Sequence, residues 1–297
     1  MWIIKLFLTA CYFVLIVAGV NAKIHSNSVR RSGPVAAVEQ NVSAPLPIDS
    51  WKGQKIMFVY AHIDDMEAAS GGLVYLLHAL QAQVYIVVMT NGDKGCSNEE
   101  VCGTKTNQEL ADIRKQEQYK SGEILYIPKE NMFFLDYEDC ELKTYNRKEV
   151  NQKIVTIIRS IQPNVVMTWD SSPYFAMIPS DGWGDLGYHP DHQYAGELTV
   201  DSVWFASEGR MWPKLGSAWR PQQVYFWSYF PDITPSHCLD ITGAPHAAKT
   251  SAFLQMTSQV TNATEMSGML YSLGQIVNQN CKWAPGTMAE GYQYVLW

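Results

Sequence analysis

Residues 55–90 read KIMFVYAHIDDMEAASGGLVYLLHALQAQVYIVVMT, and their pattern of apolar residues indicates the fold class. Its apolar residues form a continuous run at 56–61, follow a helical spacing over 66–82 and form a second run at 84–90. Continuous apolar runs of this length are typical of strands buried on both faces, and a crossover helix fits between them. The pattern predicts two parallel strands joined by a helix.

The same alternation continues along the chain. We predict strands at 132–135 and 165–169, and helices at 106–121 and 147–161. Strands that alternate with helices predict an α/β fold, here a Rossmann-like three-layer arrangement around a mostly parallel central sheet. Ligands of such sheets bind at the carboxyl ends of the strands, so we expect functional residues where each strand ends.

Composition excludes several classes of protein. The chain has 297 residues, of which 47% are hydrophobic and 17% are charged, as expected for a globular domain rather than a disordered chain. Its net charge is −7, and it has no basic run. An acidic chain is a poor partner for a phosphate backbone, so we predict no binding to nucleic acid.

The first 22 residues have the features of a secretory signal peptide. Lys5 supplies a positive charge, residues 6–20 are almost entirely apolar, and small residues at 20–22 offer a cleavage point. The apolar run is shorter than the roughly 20 residues that span a bilayer, although an uncleaved membrane anchor is the alternative. A cleaved leader predicts a protein that is secreted or held in the secretory-pathway lumen, with a membrane as partner only if the leader is kept.

Residues 23–50 contain no apolar period and are predicted to form a flexible linker, which leaves 51–297 as the folded domain.

Beyond the leader lie Cys96, Cys102, Cys140, Cys238 and Cys281. The odd number leaves at least one thiol outside an intramolecular disulfide. We favour a short loop closed by the first two and a second disulfide between the last two, with free buried thiols as the alternative. Glycosylation sequons begin at Asn41 and Asn262.

A cluster of polar residues, His62-Ile63-Asp64-Asp65, lies where the first predicted strand gives way to a helix. A spacing of three residues can bring His62 and Asp65 to one side of the first helical turn, with Asp64 left free beside them. Imidazole and carboxylate groups are good zinc ligands. The competing interpretation is that the acids only favour a helix N-terminus and that the histidine is an ordinary polar residue.

A second cluster, His189-Pro190-Asp191-His192, precedes a helix predicted at 191–205, and Pro190 suits a first helical turn. Together the two clusters offer His62, Asp65 and His192 as ligands of one ion. Three protein ligands with an open position for water form a catalytic rather than a structural metal site.

These clusters resemble the signatures of PIG-L/LmbE-like zinc-dependent N-acetylglucosaminyl de-N-acetylases, and the likeness extends over residues 53–260. The similar segments are 62–67 with Gly71-Gly72, 90–95, Arg114 with Glu117, 134–137, 161–166 and 189–192. Two positions depart from the family pattern. Ile63 stands where the family usually has proline, a conformational difference that should leave metal binding intact. Met256 stands where many members have histidine, so the substrate contact of that histidine is not expected here.

The resemblance implies a zinc ion held by His62, Asp65 and His192. It implies Asp64 as the general base that takes a proton from water, and His189 as the group that stabilises the oxyanion and protonates the departing amine. Asp191 either orients a neighbouring imidazole or caps the helix.

The family acts mainly on N-acetylglucosamine-type groups, so the implied partner is an N-acetylated sugar or glycoconjugate. Trp169, Asp170 and Trp183 are candidate substrate contacts, because aromatic faces stack on sugars while carboxylates bind their hydroxyls. Ordinary loop packing is the alternative interpretation of these aromatic residues.

Two other functions use similar residues. A metallophosphoesterase needs ligands for two ions about 3.5–4 Å apart, whereas the two clusters offer a good set for one. A secreted, non-catalytic carbohydrate-binding protein would need neither a base nor an acid, and the presence of Asp64 and His189 therefore favours an enzyme.

Overall fold

Eight strands form one sheet in the part of the chain that the structure, a computed structural model, describes: residues 42–171, 189–227 and 234–295. The strands are β1 (Ala44–Pro45), β2 (Lys55–Tyr60), β3 (Gln83–Thr90), β4 (Met132–Tyr137), β5 (Val165–Trp169), β6 (Gln223–Trp227), β7 (His237–Asp240) and β8 (Ala289–Val295). Across the sheet their order is β1-β7-β8-β6-β5-β2-β3-β4.

The sheet is mostly parallel, as the sequence predicts. Strands β2 to β6 are parallel to one another and β1 is parallel to β7, whereas β8 runs antiparallel to both of its neighbours, β6 and β7. The chain builds outward from β2 through β3 to β4, and then returns to add β5 and β6 on the other side. The carboxyl ends of β2 and β5 therefore flank the topological switch point, where ligands of open α/β sheets bind.

Seven helices accompany the strands among the described residues. They are α1 (Asp65–Ala79), α2 (Glu99–Cys102), α3 (Asn107–Ile124), α4 (Arg147–Ile161), α5 (Pro190–Ser207), α6 (Ala244–Phe253) and α7 (Ala263–Cys281). Helix α1 packs against α6, and α4 packs against α5. Every residue of β2 from Ile56 to Tyr60 is completely buried. Successive side chains of a strand point to opposite faces, so both faces of the sheet are covered and the predicted α/β fold is confirmed.

Local sequence signals explain where the best-predicted helices begin and end. Helix α4 has the predicted bounds, and the side chain of Asn146 accepts hydrogen bonds from the first backbone N–H groups of that helix. Helix α3 begins after Thr106, whose side chain forms a reciprocal capping box with Glu109. Because these caps involve residues three apart, they can be recognised without tertiary information.

The predicted linker is too long at its C-terminal end. Ala44 and Pro45, inside the segment 23–50, pair with β7, and residues 48–51 form a single helical turn. Trp51 closes this turn; it is buried, and its Nε1 donates to Oε1 of Gln223 at 2.7 Å. A two-residue edge strand and one turn are too short to show an apolar period, which is why the sequence pattern missed them.

Both favoured disulfides are confirmed: Cys96 bonds to Cys102, and Cys238 bonds to Cys281. Cys140 belongs to neither of these two disulfides. No helix within the described residues has both the length and the apolar character to cross a membrane. The predicted signal peptide, residues 1–22, lies outside the described residues.

Candidate active site

The turn between β2 and α1 aims the two oxygens of Asp65 in different directions. Asp64, just before the helix, adopts a left-handed φ of 102°. Oδ2 of Asp65 accepts hydrogen bonds from the backbone N–H groups of Ala61 at 3.0 Å and His62 at 2.9 Å, and from Nε1 of Trp169 at 2.8 Å. Since these donors occupy Oδ2, the other oxygen is the one available to a further partner.

His192, in the first turn of α5, faces that second oxygen. Its Nε2 lies 3.1 Å from Oδ1 of Asp65 and 3.0 Å from Nδ1 of His62. The His192 ring stacks on the indole of Trp169, with ring centroids 4.0 Å apart and planes 9° apart. The structure therefore brings together the three ligand candidates, which come from two distant segments of the chain.

This donor set fits a divalent ion. The three side chains are buried, and Nδ1 of His62 also lies 3.7 Å from Oδ2 of Asp65. Two imidazole nitrogens and one carboxylate oxygen are a typical zinc donor set, and a shared cation would satisfy all three at once. Behind His62, oxygens of Asp139 and Asp191 lie 3.0 and 3.5 Å from Nε2. Carboxylates in this position favour the tautomer that leaves Nδ1 free to bind a metal.

Asp64 lies beside the three candidate ligands, and its carboxylate pairs with Arg114. Its Oδ2 accepts a hydrogen bond from Nη2 of Arg114 at 2.7 Å, and Nη2 also donates to the carbonyl of Ile63. Burial raises the pKa of Asp64 to about 6, although the Arg114 charge opposes this rise. A carboxylate with a pKa near the operating pH, held in a fixed direction, is well suited to accept a proton.

Two glycines make room for Arg114. A Cβ atom added at Gly92 would lie 2.9 Å from Cδ of Arg114, and one added at Gly95 would collide with Nη1. Because these two glycines of the turn after β3 have no side chain, the guanidinium of Arg114 can reach the carboxylate of Asp64.

His189 caps helix α5. Its Nδ1 accepts the backbone N–H of Asp191 at 3.2 Å, so the neutral ring carries its proton on Nε2, which lies 3.7 Å from Sγ of Cys140. Burial, reinforced by His62 and His192, lowers the pKa of His189 to about 3. A neutral ring with an Nε2–H group suits the predicted oxyanion contact better than the predicted protonation of the amine.

Asp191 orients the loop after β4 and lies close to His62. Its carboxylate accepts the backbone N–H groups of Cys140 at 2.8 Å and Leu142 at 3.2 Å, and it lies 3.5 Å from Nε2 of His62. The alternative role as a helix cap is wrong, because His189 occupies the cap position.

Sequence reasoning missed Asp139 and Cys140. Both follow β4, at the edge of the sheet where functional residues are expected. Neither residue belongs to a recognisable motif, however, and only their approach to His62 and His189 reveals them.

The structure gives a different answer for each of the three residues that were predicted to contact a sugar. Trp169 is 3% exposed, and its ring packs among those of Tyr60, Trp227 and His192, so it positions Asp65 and His192 instead of offering a face to a sugar. Asp170 follows it and is half-buried. Trp183 lies outside the described residues. Met256 is completely buried in the hydrophobic core, so this position makes no substrate contact.

Comparison with known protein families points to the same segments of the chain. The model of the PIG-L family, GlcNAc-PI de-N-acetylase, matches residues 57–203, a range that contains both histidine clusters. The chain carries a domain of the PIG-L family. The resemblance drawn from the motifs is thereby confirmed.

A curated relative of this chain is diacetylchitobiose deacetylase of Thermococcus kodakarensis. The two are 35% identical over 153 residues, which are 52% of this chain and 50% of the relative. The chain thus spans about half the length of that relative.

Two solved structures share the fold. The N,N'-diacetylchitobiose deacetylase from Pyrococcus horikoshii matches with a TM-score of 0.66 and 24% identity over 82% of this chain and 84% of that one. The 4-carboxy-2-hydroxymuconate hydratase from Pseudomonas putida matches with a TM-score of 0.64 and 21% identity over 82% and 96%. At these identities the likeness shows the fold alone, and a fold shared with a hydratase does not decide the reaction.

Proposed function

We propose that this protein is a metal-dependent deacetylase that hydrolyses the acetamido group of an N-acetylglucosamine-type sugar or glycoconjugate, with zinc as the metal. The main support for this proposal is that side-chain nitrogen and oxygen atoms of His62, Asp65 and His192 lie within 3.7 Å of one another. The PIG-L match and the diacetylchitobiose deacetylase relative support this substrate class.

Different residues of the site bind the ion, accept the proton of the water and stabilise the oxyanion. A divalent ion bound by His62, Asp65 and His192 would supply Lewis-acid activation of the water and of the amide carbonyl. Asp64, directed by Arg114, takes the proton of the attacking water. Nε2–H of His189 donates a hydrogen bond to the developing oxyanion.

The departing amine needs a proton as its C–N bond breaks. We assign this step to the carboxyl of Asp64, which has just gained the proton of the water. His189 keeps its single ring proton for the oxyanion, because its Nδ1 is engaged by the backbone of Asp191. One carboxylate therefore acts first as base and then as acid.

The test combines metal analysis with product analysis on the full chain. We expect about one tightly bound ion per chain and release of acetate from N,N'-diacetylchitobiose. A chelator should stop this release, and added zinc should restore it. Release of phosphate from p-nitrophenyl phosphate without acetate would instead indicate a metallophosphoesterase. Binding of the sugar by metal-loaded protein with no acetate released would indicate a carbohydrate-binding protein.

We also propose that the protein acts outside the cytosol, on an extracellular or luminal glycan. The predicted leader supports this location, and so do the two disulfides, which persist mainly in oxidising compartments. N-terminal sequencing of the protein exported by expressing cells is the test. A chain retained in the membrane with residues 1–22 intact would support the anchor alternative.

A further inference from the structure

A cavity of about 290 Å³ lies at the carboxyl edge of the sheet, beside the proposed ion site. Its lining includes Asn91 after β3, Phe134 and Asp136 of β4, and Ala111 and Lys115 of α3. Among the described residues that line it, none is a proposed ligand of the ion. Small-molecule sites begin at about 300 Å³, so a cavity of this size suits one small molecule or a single sugar unit.

We propose that this cavity binds a second sugar unit of the substrate, next to the N-acetylglucosamine unit whose amide is hydrolysed at the ion. The proposal rests on the proposed function, because it names the part of the glycan that lies beyond the acetylated unit. It implies that the enzyme favours disaccharides and longer glycans over free N-acetylglucosamine.

Arg114 connects the cavity with the catalytic residues. Ala111 and Lys115, which lie three residues before and one residue after Arg114 on α3, line the cavity. Nη2 of Arg114 donates to Oδ2 of Asp64 at 2.7 Å and to the carbonyl of Ile63. Ile63 directly precedes Asp64 and also lines the cavity. The cavity and the proposed base therefore share a wall, and the next unit of a glycan bound at the ion can reach the cavity.

The lining combines an apolar floor with a polar rim. Ile63 and Ala111 are buried and form the floor, whereas Gln108 and Asp112 are exposed at the rim. Nε2 of Gln108 donates to Oδ1 of Asp112 at 3.0 Å, so Oδ2 of this carboxylate is the oxygen that can accept from a ligand. Apolar surface beside a few fixed polar groups matches a sugar, which has both CH faces and hydroxyl groups.

The charges of the lining also favour a sugar over other small molecules. Nζ of Lys115 lies 4.6 Å from the centroid of the Phe134 ring and 3.5 Å from Oδ1 of Asp136. Together with Asp112, these side chains give the cavity two carboxylates and one ammonium group. Two carboxylates repel an anion, and the polar rim disfavours an apolar molecule. Sugar hydroxyls, in contrast, donate to carboxylates and accept from an ammonium group.

Backbone strain directs one of these carboxylates. Phe134 pairs with Val88 and Tyr137 pairs with Thr90, so β4 has one residue more than β3 between these pairs and forms a β-bulge. Asp136, inside the bulge, has a left-handed φ of 56° and an exposed side chain. A non-glycine residue in this conformation costs backbone energy, and both such strain and bulges occur next to functional sites. A carboxylate turned toward a bound sugar explains the strain at Asp136.

Steady-state kinetics of the metal-loaded full chain test the proposal. The KM of wild type for N,N'-diacetylchitobiose should be at least about tenfold below its KM for N-acetylglucosamine. Asp112→Ala deletes a carboxylate of the rim, so the KM for the disaccharide should rise about tenfold at constant kcat, the loss expected for one hydrogen bond to a charged group. Ala111→Leu, which fills the floor of the cavity, should raise the same KM.

The monosaccharide and a matched variant provide the controls. Neither substitution should change kcat or KM for N-acetylglucosamine, because this sugar occupies only the position at the ion. Glu123→Ala removes another exposed carboxylate of α3, one that pairs with Lys129 and does not line the cavity, and should leave the kinetics of both sugars unchanged. Circular dichroism checks the fold of each variant, and the exposed position of Asp112 provides the test if Ala111→Leu misfolds.

Binding without turnover separates this proposal from the proposed function. Calorimetric titration of metal-loaded Asp64→Asn with N,N'-diacetylchitobiose should give an affinity that falls about tenfold when Asp112→Ala is added.

Unchanged affinity together with an unchanged KM for the disaccharide overturns the sugar site, as does an equal loss for both sugars. If wild type releases acetate from both sugars with equal KM, the sugar site alone fails. If neither sugar releases acetate but the disaccharide binds and Asp112→Ala weakens it, the sugar site stands while the proposed function fails. Absence of both binding and acetate release overturns both proposals.

Discussion

Oδ1 of Asp65 lies 3.1 Å from Nε2 of His192, although Asp65 begins α1, after β2, and His192 lies in the first turn of α5. The other oxygen of Asp65 is engaged by two backbone N–H groups and by the indole of Trp169. A carboxylate that is fixed through one oxygen presents the other in a constant direction. This division between a structural oxygen and a ligand oxygen underlies the predictions that follow.

Replacement of His192 should remove the ion. His192→Ala deletes one of three proposed ligands, so we expect metal affinity to fall by more than about 100-fold and activity to disappear with it. Metal content after dialysis and acetate release are the measurements. A full complement of metal in the variant would mean that His192 is not a ligand; His78→Gln controls for the loss of a surface histidine.

Asp64→Asn should separate binding from turnover. The amide keeps the size of the side chain but cannot take a proton, so we expect activity to fall by about 10² to 10⁴-fold while metal binding is retained. Steady-state kinetics and metal analysis of the same sample test both parts. Near wild-type turnover would show that another group acts as the base.

Trp169→Phe should weaken the ion site without unfolding the protein. The phenyl ring can still pack against His192, but the hydrogen bond from Nε1 to Asp65 is lost. Loss of an outer partner of a metal ligand typically costs about 10–100-fold in metal affinity. Trp51→Phe is the matched control, because it removes a similar indole hydrogen bond to Gln223, which pairs with the first residue of β5, whereas Trp169 is the last residue of that strand. Equal metal affinities in the two variants would contradict the assigned role.

Gly95→Ala should impair catalysis through Arg114. The added methyl group collides with the guanidinium, which must move away from Asp64. Misplacement of a reacting group by about 1 Å can cost about 100-fold in rate, so kcat should fall while metal content is unchanged. Gly268→Ala, a glycine with open space around its Cβ position in α7, is the control and should leave kcat unaltered. Wild-type kcat in Gly95→Ala would argue against a positioning role for Arg114.

The two disulfides should differ in what they contribute to stability. Loop-closure entropy predicts about 4 kcal/mol for Cys238–Cys281, with a separation of 43 residues, and about 2 kcal/mol for Cys96–Cys102, with a separation of 6. Urea unfolding of the two double-alanine variants measures these costs in free energy of unfolding. A larger loss for the short loop would show that local contacts, not chain entropy, dominate.

The α/β fold, the bounds of α4 and β5, and the residue types available to bind an ion could all be predicted from the sequence. Apolar periods and helix caps involve residues that are close in the chain, so they can be read without coordinates. The two histidine clusters also form local patterns, which is why His62, Asp65 and His192 could be selected in advance.

The contacts that each of these side chains makes could be learned only from the three-dimensional structure. It turned Trp169 from a candidate sugar contact into a support for Asp65, assigned Asp191 to the loop after β4 and to His62, and brought Asp139 and Cys140 to the site. These roles depend on contacts between segments that are distant in the chain. No local spacing specifies such contacts, because they arise when the sheet sets the carboxyl ends of β2, β4 and β5 along one edge.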